Sequence, residues 1–366
     1  MSPSTPSAPR SVTRDERIER HLAAIRNVLV VFLIILVFFL LKTLSSLLIP
    51  LAMAALLAFL AAPITKWLRK KKLPGWLIFP AVAFGTLALT AIVALVFMQT
   101  ANEVAAQQDY LLNRFEDQLL SLTQFVNEIT GDLYQISGIL DEGRKLLTTD
   151  VISTVAGFLA SNVGSFTGSF IIFAFYYIII LAGLQNAPRF LAFVGGPDRS
   201  TRVIESFNKI QKSISNYLVV KIIVSVMTGV ATYLACLVFG IKFAFFWSFL
   251  TVLLNFIPSI GSTIAVIFPV LMGFIQYDAV GMPLLLAAIL VTVQMTIGNL
   301  VEPSLMGTSL RLNTLTAIFG LFFWGYLWGI AGMFLSLPLI VVFKLVLERS
   351  DNLVVFARLM GDPDEE

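Results

Sequence analysis

The chain has one cysteine and one histidine among 366 residues. Cys236 lies inside an apolar run. A lone thiol builds neither a disulfide framework nor a cysteine metal site. His21 sits in a polar N-terminal stretch, where a solvated role is the simple reading. A zinc protease needs two histidines in an H-E-x-x-H pair, so that chemistry is excluded. A serine nucleophile would have no histidine base. The sequence also lacks a P-loop and a GxGxxG loop, so ATP coupling and dinucleotide binding have no support. No metal, no cofactor and no enzymatic activity are expected.

Charge is the next scarcity. Only 13% of residues are charged, against about a quarter in soluble domains. Hydrophobic residues make up 58%, with 31 Phe, and mean hydropathy is +0.89. Such a chain cannot keep a soluble surface, and the alternative solvent is lipid. A spanning helix needs about 20 mostly apolar residues. Intervals free of Asp, Glu, Lys and Arg run 27–41, 43–65, 73–102, 151–188, 222–241, 243–277, 279–301 and 312–343. The first is short by itself, but it can extend past Lys42, which can snorkel. The expected fold class is all-α: a polytopic helical integral membrane protein with about eight membrane segments.

Sidedness follows from the bases in short loops, which mark the cytoplasmic face. Residues 1–26 are Ser/Pro-rich and then Arg-rich, and the apolar segment after them leads into a second with no convincing cleavage site. They are expected to be a retained cytoplasmic tail. Membrane helices one to three follow over 27–98, with "KWLRKKK" (66–72) inside. That run is read as an anchor on acidic lipid heads, with no nucleic acid in view. Residues 99–150 are acidic and expected outside. A fourth helix over 151–183, a basic cytoplasmic linker over 184–215, a C-terminal membrane core over 216–348 and a cytoplasmic tail over 349–366 complete the plan. The location expected is the plasma membrane, with both termini cytoplasmic.

The outside segment carries a seam at alternating spacings of three and four: Leu112, Phe115, Leu119, Leu122, Val126, Ile129, Leu133, Ile136 and Leu140. Such a repeat suits a helix contact. Two readings stand: a subunit contact, slightly favoured, in a homo-oligomer, or an amphipathic helix lying on the membrane or on its own bundle.

Two charge-free runs exceed one straight crossing. In 243–277, Pro258 removes a backbone donor and Gly261 relaxes the chain. In 312–343, Gly325, Gly329 and Gly332 precede Pro338. Both runs are expected to be interrupted or hairpin-like. Broken backbone at membrane depth is tolerated only where protein or a water-filled cavity satisfies it, and paired interruptions point to a transporter's binding site. Close helix packing is the other reading. Between the runs lies "GNLVEPSLMGTSLRLN" (298–313). Glu302 is read either as a loop carboxylate paired with Arg311, or as part of a polar gate. The candidate substrate residues are Asn255, Pro258, Ser259, Gly261, Gln294, Asn299, Glu302, Arg311 and Asn313. Candidate hinges are Pro303, Gly307, Gly325, Gly329, Gly332 and Pro338.

Three stretches in this order, "IPSIGSTIAVIFPVLMGFIQ" (257–276), "NLVEPSLMGTSLRLN" (299–313) and "FWGYLWGIAGMFLSLPL" (323–339), resemble the autoinducer-2 exporter family, the PerM-like permeases. The resemblance covers nearly the whole chain after the tail. It implies recurrent positions at Pro258, Gly261, Glu302, Pro303, Gly307, Trp324, Gly325, Gly329, Gly332 and Pro338. The family often has an aromatic where Ser259 stands and Pro where Thr314 stands, which weakens any inference about substrate. The resemblance implies eight membrane segments and either export of small signalling molecules or sodium–proton exchange. The expected function is therefore export of a small polar solute across the lipid bilayer. A sodium (cation)/proton antiporter is the alternative, and a non-transporting oligomeric scaffold the second alternative.

Overall fold

Lipid offers no partner for backbone N–H and C=O groups, so apolar runs of this length must close their hydrogen bonds internally. The computed structural model describes residues 14–107, 113, 114, 117, 149–258, 260–306, 312–348 and 353–361. They form α1 (Arg14–Thr43), α2 (Ser45–Lys70), α3 (Gly75–Ala106), α4 (Thr149–Val238), α5 (Ala244–Leu254), α6 (Ile260–Gln276) and α7 (Gly281–Thr296). A π-helical turn (Ile297–Val301), α8 (Glu302–Met306), α9 (Thr314–Leu347) and α10 (Val354–Leu359) follow. Among the described residues the sole β feature is an isolated bridge between Leu312 and Gly361. The oligomer seam, apart from isolated neighbours such as Arg114, lies outside the described residues, as do Ser259, Gly307 and Arg311.

The chain divides into two units, Met1–Leu48 and Ile49–Glu366. The first is α1 and the opening turn of α2. Its helix starts at Arg14, so the second half of the basic tail is helical rather than irregular. The second unit holds every other element.

Among the described residues, six segments are long and apolar enough to cross a membrane: His21–Thr43, Ser45–Lys70, Trp76–Val96, Ser200–Val238, Gly281–Met306 and Thr314–Leu347. A seventh arises if Gly168–Leu184 and Asn186–Val194, bent by 76°, count as one. The protein is a polytopic helical membrane protein. α4 is not one rod, because Gly196 has φ 65 and ψ 179 and breaks it before Ser200. Helix then runs unbroken across residue 215, where the linker was expected to give way to the membrane core.

The run 243–277 doubles back. α5 has 11 residues, about 16 Å of helix, against about 30 Å of hydrocarbon. The Trp247 ring stacks on Phe268 at 6.0 Å, each lying eight residues or so from the turn. At the open end, Gln276 Nε2 donates to Gly240 O at 2.7 Å and its Oε1 accepts from the Lys242 amide at 3.0 Å. Tyr277 donates to Phe239 O as well. α5 and α6 are thus an antiparallel hairpin, with its tip at Asn255–Pro258. A Cβ on Gly261 would collide with the Leu254 carbonyl, so only glycine lets the two arms close there.

α9 also turns back, although it passes the length and composition test for a single span. Gly329 has φ 61 and ψ −142 inside it. In a straight helix Gly320 and Ile340 would be about 30 Å apart. Instead a Cβ on Gly320 would fall on Ile340 Cδ1, and one on Gly325 would lie 3.0 Å from Met333. The second hairpin turns at Gly329.

The hairpins approach from opposite ends of Ser200–Val238. The first opens beside Val238, where Arg114 pairs with Asp278 at 2.9 Å. The second opens at the other end, where Lys209 meets Glu348 at 3.4 Å. Their tips meet between these ends: Phe256 stacks on Phe334 with ring centres 4.6 Å apart. Behind them, Ala54, Ala58 and Ala61 of α2 pack against Ile78 and Val82 of α3 and Phe173, Tyr177 and Leu181 of α4. Small residues one turn apart let these helices approach closely.

Candidate functional site

One face of Ser200–Val238 is a stripe of Tyr217, Lys221, Ser225, Thr228 and Thr232, spaced by three or four and all buried. Residues at that spacing share a helix face. Thr228 satisfies itself by donating to Val224 O at 2.8 Å. Lys221 and Ser225 bond to neighbouring elements.

Lys221 Nζ donates to Glu302 Oε1 at 2.6 Å, with side chains 6% and 18% exposed. Charged groups at membrane depth are costly and usually functional, and removing one partner of a buried pair is worse than removing both. Glu302 is delivered by a local distortion. Pro303 cannot donate to the carbonyl four residues back, and its ring crowds that carbonyl. The helix widens over Ile297–Val301, and the Glu302 amide reaches five residues back to Ile297 O. Such π turns recur at functional sites.

The first hairpin docks one turn further along the stripe. Asn255, at the tip and buried, donates from Nδ2 to Ser225 Oγ at 3.0 Å. Ser225 follows Lys221 by four residues, so hairpin tip and ion pair are neighbours on one helix face. Tyr217, one turn before Lys221, is 1% exposed and its hydroxyl has no hydrogen-bond partner. One turn further along the same face is Lys221, the partner of Glu302. An ammonium, a carboxylate, a phenol, a serine hydroxyl and an amide thus converge here. They can hold a polar solute through several hydrogen bonds, or let the carboxylate exchange its lysine for a cation or proton.

Among the candidates, Asn255, Pro258, Gly261 and Glu302 are brought to this region. Gln294 is half-buried on α7, two turns before Glu302, and Asn299 is exposed in the π turn. Asn313 lies elsewhere. Its Oδ1 accepts from the Thr316 amide at 2.7 Å and its Nδ2 donates to Leu359 O at 2.7 Å. It caps α9 at the open end of the second hairpin, so its side chain is spent on local backbone. Glu302 pairs with Lys221 and begins a helix rather than sitting in a loop; its expected pairing with Arg311 lies outside the described residues. Of the hinges, Gly329 makes the turn. Gly332 packs against the Trp324 carbonyl, Gly325 against Met333, and Pro338 is buried in the returning arm. Pro303 shapes the π turn.

Sequence reasoning passed over Lys221, Tyr217 and Ser225. Read alone, Lys221 is a single base in an apolar stretch. The signal that could have found it was the polar period of the stripe. The tips border a cleft of about 400 Å³ lined by Met53, Leu57, Phe173, Leu218, Phe256 and Phe334, among others. It is apolar, and neither Lys221 nor Glu302 lines it.

The AI-2E family transporter pattern matches residues 28–352, which include both hairpins and the ion pair. The chain belongs to the AI-2E transporter family. It is 25% identical over 329 residues to the AI-2 transport protein TqsA of Escherichia coli K12, covering 88% of this chain and 91% of that one. A Haemophilus influenzae protein, named as a candidate transport protein, is 26% identical over 330 residues, covering 88% and 92%. A Borreliella burgdorferi protein named likewise is 29% identical over 316 residues, covering 85% and 84%. The AI-2E chain described here is thus a membrane transporter by family.

Proposed function

We propose that this AI-2E family member exports a small polar solute across the plasma membrane, through a site at the hairpin tips and the Lys221–Glu302 pair. The observation that carries the reading is the meeting of the two hairpins beside a buried, partly unsatisfied polar cluster. Hairpins that reach the bilayer centre from opposite ends leave little protein on either side of their tips, so a modest displacement of one tip opens the site one way. The substrate residues are Tyr217, Lys221, Ser225, Asn255 and Glu302, with Pro258, Gly261, Gln294 and Asn299 at the margins. The kinship with an AI-2 transport protein supports a small hydroxylated cargo.

Sidedness on this reading is consistent. Lys66, Arg69, Asn208 and Gln211 line one pocket, and Lys209 meets Glu348; all but Glu348, which directly precedes the tail, belong to stretches expected inside. Arg114 meets Asp278 at the opposite end, expected outside. The first hairpin then opens outward, the second inward, Glu302 lies toward the cytoplasm, and both termini are cytoplasmic.

Cation/proton antiport is the second reading, favoured by the partial burial of Glu302 against Lys221. Flux in reconstituted vesicles separates the two. A panel of small solutes is tested with and without sodium and proton gradients, using wild type and Glu302→Gln. Solute flux that survives without ion gradients, reduced at least tenfold in the variant, supports export. Sodium-driven proton flux lost in the variant supports antiport. Neither flux in wild type defeats both.

A further inference from the structure

A second polar pocket, of about 200 Å³, lies away from the hairpin tips. Thr65, Lys66 and Arg69 of α2 face Asn208 and Gln211 of α4 across it, with Leu181, Leu184 and Phe207 as apolar wall. Among the described residues, no Asp or Glu lines it. Gln211 is 8% exposed, and it borders the cavity beside Lys66 and Arg69, where its amide can meet a ligand. The 76° bend between Gly168–Leu184 and Asn186–Val194 turns α4 away just where Leu184 and Pro188 line the pocket. The gap is therefore built by the backbone rather than left between loose surface side chains.

We infer that this pocket binds a phosphate group, carried by an anionic lipid headgroup or free in solution. Arg offers a planar fork of donors and Lys a compact charge, both suited to phosphate oxygens. The Gln211 and Asn208 amides add neutral donors to the same face. The pocket lies in the run Lys66 to Lys72, whose bases suit the level of lipid headgroups. A cation would meet only like charge there, and an uncharged apolar molecule could not use the bases and amides. The inference is independent of what passes the hairpin tips.

The test uses the full-length protein in phosphatidylcholine nanodiscs, titrated with phosphatidylglycerol and separately with inorganic phosphate, and read by native mass spectrometry. Wild type should retain one phosphatidylglycerol or one phosphate through gentle activation. Gln211→Glu, close in size but negative, should lower that retention at least tenfold, as should Lys66→Gln with Arg69→Gln. Lys70→Gln with Lys71→Gln, which removes equal charge outside the pocket, should change it less than twofold. Retention of the lipid that inorganic phosphate cannot displace assigns a headgroup; displacement assigns a soluble phosphate. Equal loss in the pocket and control variants, or equal retention in wild type and Gln211→Glu, overturns the assignment. Vesicle flux or melting temperature close to wild type in Gln211→Glu shows that the variant folds.

Discussion

The two hairpins solve the same problem by different means. The first turns through Asn255–Pro258, where Pro258 ends the helix pattern and a tip side chain is tied to Ser225. The second turns at Gly329 alone, in a run otherwise helical from Thr314 to Leu347. The proline turn leaves several backbone groups to be answered locally. The Ile257 amide bonds Leu254 O at 2.8 Å and the Gly261 amide bonds Ile257 O at 3.1 Å. The glycine turn needs no such loop, but its arms must pack closely, which explains small residues at Gly320, Gly325 and Gly332. A polar anchored tip and a smooth glycine tip therefore face each other through one aromatic contact. If the protein exports solute as proposed, the anchored tip would sense it and the smooth one would slide.

The largest effect expected tests whether the second hairpin exists. Built on Gly320, a Cβ lies 4.0 Å from Ile340 Cβ, within the disulfide range of about 3.5–4.5 Å. Gly320→Cys with Ile340→Cys should oxidise almost completely in a Cys236→Ser background, seen by mass spectrometry of the intact chain. A straight α9 would hold the two thiols about 30 Å apart, and no intramolecular bond would form.

The ion pair ranks next. Lys221→Met or Glu302→Gln alone should destabilise the protein by about 3–5 kcal/mol, because one buried charge loses its partner. The double variant should recover most of that loss in a thermal-denaturation cycle while transport stays abolished. Equal stability in all four proteins would place the pair in water rather than in the bundle.

Much of the first hairpin was legible in the sequence, and the reasons are local. Pro258 and Gly261 mark a break wherever they stand in an apolar run. Whether 243–277 crossed or returned was not legible, since a charge-free run of that length serves one tilted helix or two short ones. In 312–343 three glycines competed, and only the backbone tells that Gly329 turns while its neighbours pack. The partner of Glu302 was hidden for a different reason. Arg311 is near in sequence, whereas Lys221 is 81 positions away, and long-range pairing leaves no periodic trace. Family membership was readable from three motifs because they record this turn chemistry.

Tip anchoring comes third. Asn255→Leu removes the amide and leaves Ser225 Oγ buried without it, a loss of about 1–3 kcal/mol. Ser225→Ala with Asn255→Leu should be nearer wild type in melting temperature than Asn255→Leu alone. If the anchored tip is the solute sensor, both variants should raise the half-saturating solute concentration in vesicles. A corresponding change at the second tip, Phe334→Leu, should leave it within about twofold and lower the maximal rate, because it alters packing against Phe256 without removing a polar contact. Half-saturation moving equally in both would erase the proposed division of labour.

The smallest effect separates the turns themselves. Gly329→Ala forces a side chain onto φ 61 and ψ −142, a backbone essentially confined to glycine, at a cost of about 1–3 kcal/mol. No atom lies within 4 Å of the Cβ it would add, so strain is the whole penalty. Gly261→Ala has ordinary backbone but would drive a methyl into the Leu254 carbonyl. Its penalty is steric and can be relieved only by prising the arms apart, at about 1–3 kcal/mol on the scale of an overpacked core. Asparagine discriminates between the two causes, because the αL backbone it tolerates has ψ near +47°, far from the ψ of −142 at Gly329. Gly329→Asn should therefore lose about as much as Gly329→Ala, whereas Gly261→Asn should be worse than Gly261→Ala. The same order at both sites would mean that the two hairpins turn by one mechanism after all.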